Sequence, residues 1–93
     1  MPLRGRVLKY MYTVYILQSI KNSKYYIGHT EDLESRLKRH NSGKVKSTKN
    51  GVPWKIVYQE KYKTRSEACF REREINNYKG GIKFKKLLGL WKE

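Results

Sequence analysis

The sequence predicts a small α/β domain of the α+β type, with three strands and three helices. Three observations predict it. β-Forming stretches fall at Tyr12–Leu17, Lys24–Gly28 and Trp54–Tyr62; helical apolar spacing with capping signals follows the second and third; and Asn, Ser and Gly punctuate the joins. The 93 residues make one domain. At that size roughly 60 to 65% of the unfolded surface can be buried, which allows one modest core.

From Tyr12 to Leu17 nearly every residue is a strand former, with Tyr12, Val14 and Ile16 on one face and Thr13, Tyr15 and Leu17 on the other. This strand is apolar on both faces. Asn22-Ser23 marks the turn into Lys24–Gly28, a second strand that pairs antiparallel with the first and brings Tyr15 near Tyr26. Thr30 is the expected N-cap of the first helix, with Glu31 and Asp32 in its first turn against the macrodipole. That helix ends near Asn41-Ser42-Gly43, and the Gly, Ser and Lys-rich segment GKVKSTKNGVP is expected to be a mobile basic loop.

In the third strand, Trp54, Ile56, Tyr58 and Tyr62 are expected on one side and Lys55, Gln59 and Lys61 on the other, with Val57 the exception. Thr64-Arg65-Ser66-Glu67 matches a capping box, opening a helix to about Lys79. Gly80-Gly81 stops it. Phe84, Leu87, Leu88 and Trp91 then share one face of a terminal helix, expected as a lid over the sheet. Gly89 lies within that span, at a cost of about 1 kcal/mol relative to Ala.

With 22 Lys+Arg against 8 Asp+Glu the formal charge is +14, a surface that repels itself unless a polyanion neutralises it. Nucleic acid is the partner expected. A membrane surface is disfavoured, because no basic helix has a broad apolar face and no apolar run is long enough to span a bilayer. One cysteine, Cys69, and two histidines, His29 and His40, assemble no zinc pattern, and a lone thiol fits a reducing cytoplasm. Residues 1–10 are basic and lack a signal-peptide h-region. They read as a basic extension to a single domain at 11–93, with Met11 the alternative start.

Some polar residues have no structural duty. At about 100° per residue, Leu33, Arg36, Leu37 and His40 share the inward face of the first helix, and Glu72 projects with Ala68 and Ile75 from the apolar stripe of the second. Glu74 faces water, and Glu34 and Glu60 sit in solvent among lysines. A carboxylate on a buried face must be paired or bound to metal. An Arg36–Glu72 ion pair is one explanation, and a satisfied core histidine is one for His40. The alternative is a site formed by Arg36, His40 and Glu72 beside Tyr15 and Tyr26. One carboxylate suits a single Mg²⁺ (or Mn²⁺), a guanidinium suits the charge of a pentavalent phosphate, and His or Tyr can relay the proton of an attacking water. Phosphodiester hydrolysis uses every member of the set.

The ordered set Thr13-Val14-Tyr15, Tyr26-Ile27-Gly28, Arg36 eight residues later, and Glu72 in SEACFREREI resembles the GIY-YIG nuclease superfamily, in its small stand-alone branch. The resemblance covers residues 12 to about 88. It implies a three-stranded antiparallel sheet flanked by helices, and cleavage of DNA with one divalent metal ion. Tyr15 and Tyr26 match the tyrosines that activate water or contact phosphate, Arg36 the phosphate-stabilising arginine, His40 the His/Tyr position, and Glu72 the metal ligand. Gly28 matches the motif glycine, whose missing side chain allows close backbone approach. His29, a candidate phosphate contact, stands where several branches carry lysine; the first triplet has Thr-Val for Gly-Ile; and Phe84 occupies a position where some members have asparagine.

The chain length leaves no room for a separate DNA-targeting domain, so the basic surface is expected to hold the substrate. Lys38, Arg39, Lys44, Lys46, Lys49, Lys83, Lys85 and Lys86 are the candidate phosphate contacts. The expected function is that of a monomeric, metal-dependent DNA endonuclease with weak sequence preference, acting on branched or damaged DNA. The general base is left open among Tyr15, Tyr26 and His40. RNA as substrate, a nucleic-acid-binding module with little turnover, and a small basic RNA-associated protein are the alternatives.

Overall fold

The computed structural model describes residues 11–90, so the N-terminal extension and Trp91 lie outside the described residues. Its order is β1 (Tyr12–Ser19), β2 (Tyr25–Thr30), α1 (Leu33–Asn41), β3 (Trp54–Tyr62), α2 (Arg65–Tyr78) and α3 (Ile82–Leu87). The three strands form one antiparallel sheet in the order β2-β1-β3. The strand apolar on both faces is thus the central one. Val14 and Ile16 pack with Ile27, Ala68, Ile75 and Phe84, the layer covered by α2 and α3. Tyr15 and Leu17 pack with Trp54, Tyr26, Leu33 and Leu37, the layer covered by α1. Among the described residues, no helix is long and apolar enough to cross a membrane.

The alternation expected of β3 is broken. Ile16 pairs with Tyr58 but Leu17 pairs with Ile56, so Val57 is an extra residue, a β-bulge. Past the bulge the side chains change faces. Trp54 and Ile56 belong to the α1 layer, whereas Val57, Tyr58 and Tyr62 belong to the α2 layer. Glu60 turns inward with them. Its carboxylate accepts two hydrogen bonds from the Arg71 guanidinium, both 2.8 Å, and others from the hydroxyls of Tyr58 and Tyr62. Arg71 also bonds Glu74, 3.0 Å away. The solvent-facing place expected for Glu60 is therefore corrected, because the bulge aims it at α2, whereas Glu74 keeps a side chain 39% exposed.

Arg71 holds the Glu60 carboxyl down, from 4.5 to about 2, with the tyrosine hydroxyls helping against burial. A depressed carboxylate contributes stability that is complete above its unfolded value and lost as pH falls through its folded one. The thermal midpoint should therefore fall between pH 4.5 and about 2, and Glu60→Gln should flatten that fall, as followed by circular dichroism.

Expectations change at two helix ends. Asp32, not Thr30, caps α1: its carboxylate accepts from the Ser35 amide at 3.1 Å, while the Thr30 hydroxyl takes the Asp32 amide at 3.2 Å and makes the turn before it. The capping box at Thr64 and Glu67 is present as read. α3 stops at Leu87, where Gly89, at φ 75°, takes the left-handed conformation that ends helices. Phe84 is buried edge-on to Tyr25, ring centres 5.0 Å apart, so the lid expectation holds for the described part of this segment.

The basic segment after α1 is not a free loop. Val45, Thr48 and the 3-10 turn Lys49–Gly51 close on themselves through backbone bonds of 2.9 to 3.1 Å. The Ser19 hydroxyl and the Trp54 indole then tie the turn to the sheet, at the carbonyls of Gly51 (2.6 Å) and Thr48 (2.8 Å). Sequence composition described only its exposed lysines.

Candidate active site at the outer edge of the sheet

Tyr15 lies opposite Gly28 in the β1–β2 ladder, and its phenol crosses the place where a side chain would stand. A Cβ on Gly28 would meet the Tyr15 hydroxyl at 2.7 Å and its ring carbon Cζ at 2.9 Å. What approaches the motif glycine is therefore the protein's own tyrosine. The glycine lets the hydroxyl lie over β2, the outer strand.

There the Tyr15 hydroxyl is 3.1 Å from His40 Nε2, and His40 Nδ1 is 2.8 Å from the Thr48 hydroxyl. Tyr15, His40 and Thr48 are each 1% exposed. Burial lowers the His40 pKa, and the charges of Arg36 and Arg39 push the same way, so the ring is neutral near pH 7. A neutral ring that donates Nδ1–H to Thr48 has Nε2 free to accept from the tyrosine. Tyr15 is pushed well above the usual phenol range, by burial first and by Tyr26 next, while Arg36 pulls it down. The Tyr26 ring caps the arrangement, 4.9 Å from His40 and 6.4 Å from Tyr15 between ring centres.

Arg36 is exposed, which corrects its inward placement. α1 packs through Leu33, Leu37 and His40, and Arg36 stands at the margin of that stripe, along a cleft of about 280 Å³. His29, Thr30, Asp32, Arg39 and Arg65 also line the cleft. Arg65 reaches Glu31 at 3.1 Å. Sequence reading had no signal for Arg65, because it sits in the capping turn of α2, far from α1 in the chain.

Glu72 lies on the α2 side, and its partner is His29, not Arg36: His29 Nδ1 and Glu72 Oε1 are 2.5 Å apart. The side chains are 19% and 29% exposed, so Glu72 sits at the border of the core, not in its middle. His29 follows Gly28 on β2, and successive strand residues point to opposite faces. Tyr15 and His40 therefore occupy one face and His29 with Glu72 the other, and the two groups can meet only around the outer edge of β2. The proposed Arg36–Glu72 ion pair is absent.

Among the described residues, no group of three or more His, Cys, Asp or Glu side chains could cage a metal ion. The Glu72 carboxylate fits an ion that keeps several waters and takes phosphate oxygens, as Mg²⁺ does. The donors present, one carboxylate beside one imidazole, do not fit a closed structural site.

The basic residues divide as well. Lys38, Arg39, Lys44, Lys46 and Lys49 are exposed on α1 and the turn beyond it, beside the cleft face. Lys83, Lys85 and Lys86 are exposed on α3, which belongs to the opposite layer, and Lys83 lies over the Tyr78 ring at 5.3 Å. They do not form one surface with the α1 group.

Residues 11–85 match the family model described as the GIY-YIG catalytic domain. The chain is 46% identical over 66 residues to the UPF0213 protein SERP0126 of Staphylococcus epidermidis, covering 70% of this chain and 79% of that one. It is 44% identical over 66 residues, with the same coverage, to the UPF0213 protein SAV0488 of Staphylococcus aureus. Its structure is similar to the solution NMR structure of the UPF0213 protein BH0048 from Bacillus halodurans. The TM-score is 0.54 at 31% identity, over 86% of this chain and 84% of that one.

Proposed function

The chain belongs to the GIY-YIG nuclease superfamily as a small single-domain member, and from that premise we propose that it is a divalent-metal-dependent DNA endonuclease. The observation that carries this reading is the buried chain from Tyr15 through His40 to Thr48, whose tyrosine lies within the influence of Arg36, a residue that lines the cleft. A buried histidine with both nitrogens engaged and its neighbour a tyrosine is a route for a proton.

In this mechanism DNA lies along the outer edge of β2, with Lys38, Arg39, Lys44, Lys46 and Lys49 on its phosphates. Arg36 faces the scissile phosphate and offsets the charge that builds up during attack. Water donates its proton to the Tyr15 oxygen as the tyrosine passes its own proton to His40 Nε2. Both side chains are 1% exposed, so the edge must open for water to enter; the Tyr15 hydroxyl lies over Gly28 of the outer strand with His40 behind it, and water entering there meets the tyrosine first. Tyr26 packs against both rings and keeps them in register. Glu72 would hold the Mg²⁺ or Mn²⁺ ion, which supplies Lewis-acid stabilisation at the phosphate. Lys83, Lys85 and Lys86 contact a more distant part of the same nucleic acid. We also propose a monomer, and a cytoplasmic location in keeping with the free Cys69 thiol.

Incubation with supercoiled plasmid and with branched, damaged and single-stranded oligonucleotides, with Mg²⁺ or Mn²⁺, tests the reading. It predicts strand scission that EDTA abolishes. Binding should be salt-dependent and weakly selective for sequence: with about six to eight phosphate contacts, affinity drops by about 10³- to 10⁴-fold from 50 to 200 mM salt. A flat salt profile, measured by fluorescence anisotropy, would contradict the role given to the lysines. A second reading, a nucleic-acid-binding module with little turnover, is favoured by the sparse set of metal donors among the described residues. Salt-sensitive binding without scission on any of these substrates would select it.

A further inference from the structure

We propose that His29 is a second protein ligand for the divalent ion, making a mixed nitrogen and oxygen pair with Glu72 that prefers Co²⁺ and Mn²⁺ to Mg²⁺. The inference rests on Glu72 being the metal ligand.

The geometry is close to that of a coordinating pair. Nδ1 of His29 and Oε1 of Glu72 lie 2.5 Å apart. Two ligands at right angles on bonds of about 2.1 Å are about 3.0 Å apart, so an ion enters if the pair opens by about half an ångström. Both side chains are partly exposed, at 19% and 29%, so an ion and its waters can reach them. Each also hangs from a rigid element. His29 is fixed by pairing with Val14 in the central strand, and Glu72 by the middle of α2.

A neutral imidazole coordinating through Nδ1 carries its one proton on Nε2, so the hydrogen bond to Glu72 is exchanged for two bonds to the ion. Imidazole nitrogen strengthens binding in the order Mn²⁺, then Co²⁺, whereas Mg²⁺ demands oxygen. With Mg²⁺, Glu72 is then the only protein ligand and His29 stays outside the coordination sphere. The two classes of ion would distinguish the two side chains.

The test is isothermal titration of the full chain with Co²⁺ and with Mg²⁺, for the wild type, His29→Gln and Glu72→Gln, together with proton NMR of the Co²⁺ form. Gln keeps a hydrogen-bonding group but no imidazole. The wild type should bind Co²⁺ at least about 10-fold more tightly than Mg²⁺ and show strongly shifted ring C–H resonances from one imidazole. His29→Gln should remove those resonances and weaken Co²⁺ by about 10-fold, with Mg²⁺ binding within about 2-fold of wild type. Unchanged Co²⁺ affinity in His29→Gln overturns the inference. If Glu72→Gln still abolishes binding of both ions in that case, the reading of Glu72 stands without it. If the wild type binds neither ion, both fall.

Discussion

Glu72→Gln is expected to lose about 10²- to 10³-fold or more of metal-dependent DNA cleavage while remaining folded. The two halves of that expectation come from different observations. Glu72 is the one carboxylate of α2 that stands beside the outer edge of the sheet without an arginine partner, since Glu74 is held by Arg71 and Glu67 by the cap at Thr64. Its own partner is His29, at the border of the core. Glutamine can keep that hydrogen bond, and at a partly exposed site the thermal midpoint should move by only a few degrees. Parallel measurement of plasmid nicking and thermal unfolding checks both. If unfolding is as severe as the loss of activity, Glu72 is chiefly a structural group.

Gly28→Ala should damage stability and activity together. The added methyl would stand 2.7 Å from the Tyr15 hydroxyl, and the neighbour that must give way is a rigid ring, fully enclosed and bonded to His40. Overpacking of this kind costs about 1 to 3 kcal/mol, which lowers the midpoint of a domain this small by about 5 to 20 °C. Because the displaced group is the tyrosine hydroxyl, turnover should fall at temperatures where the variant is still folded. Removing the ring should relieve the strain. In a Tyr15→Leu background, the cost of Gly28→Ala should shrink markedly in urea unfolding, and equal costs in the two backgrounds would mean that the close approach has another cause.

Periodicity identified every strand, because a two-residue repeat reports which faces are apolar, and the both-faced pattern of Val14 to Leu17 is explained by the central position that strand takes in the fold. It did not show the bulge at Val57. A bulge is a matter of register between two strands, and Val57, the one break in the alternation, marks the place without showing that the faces exchange there. Glu60 was therefore placed in solvent, when the bulge points it at Arg71. The same limit governed α1. A helical projection puts Arg36 beside Leu33 and His40, but whether a long side chain at that angle goes into the core or along its margin depends on the neighbouring layer. His40 went in and Arg36 stayed out. Glu72 was recognisable as a carboxylate out of place, yet its partner His29 sits 43 residues away on another element, a distance that no local pattern spans. Thr48 was hidden among lysines in a segment whose composition reads as loop. A single threonine carries no periodic signal, and only the fold shows that its hydroxyl meets His40.

In the proposed mechanism the buried pair of Tyr15 and His40 carries the proton of the attacking water. Tyr15→Phe tests it most directly, since it removes one oxygen and keeps the ring that fills the space over Gly28. Single-turnover cleavage of a preferred oligonucleotide, with binding measured alongside, should show a loss of about 10²-fold or more in rate and DNA affinity within about 2-fold of wild type. A rate within about 3-fold of wild type would contradict the claim and return the role of base to another group.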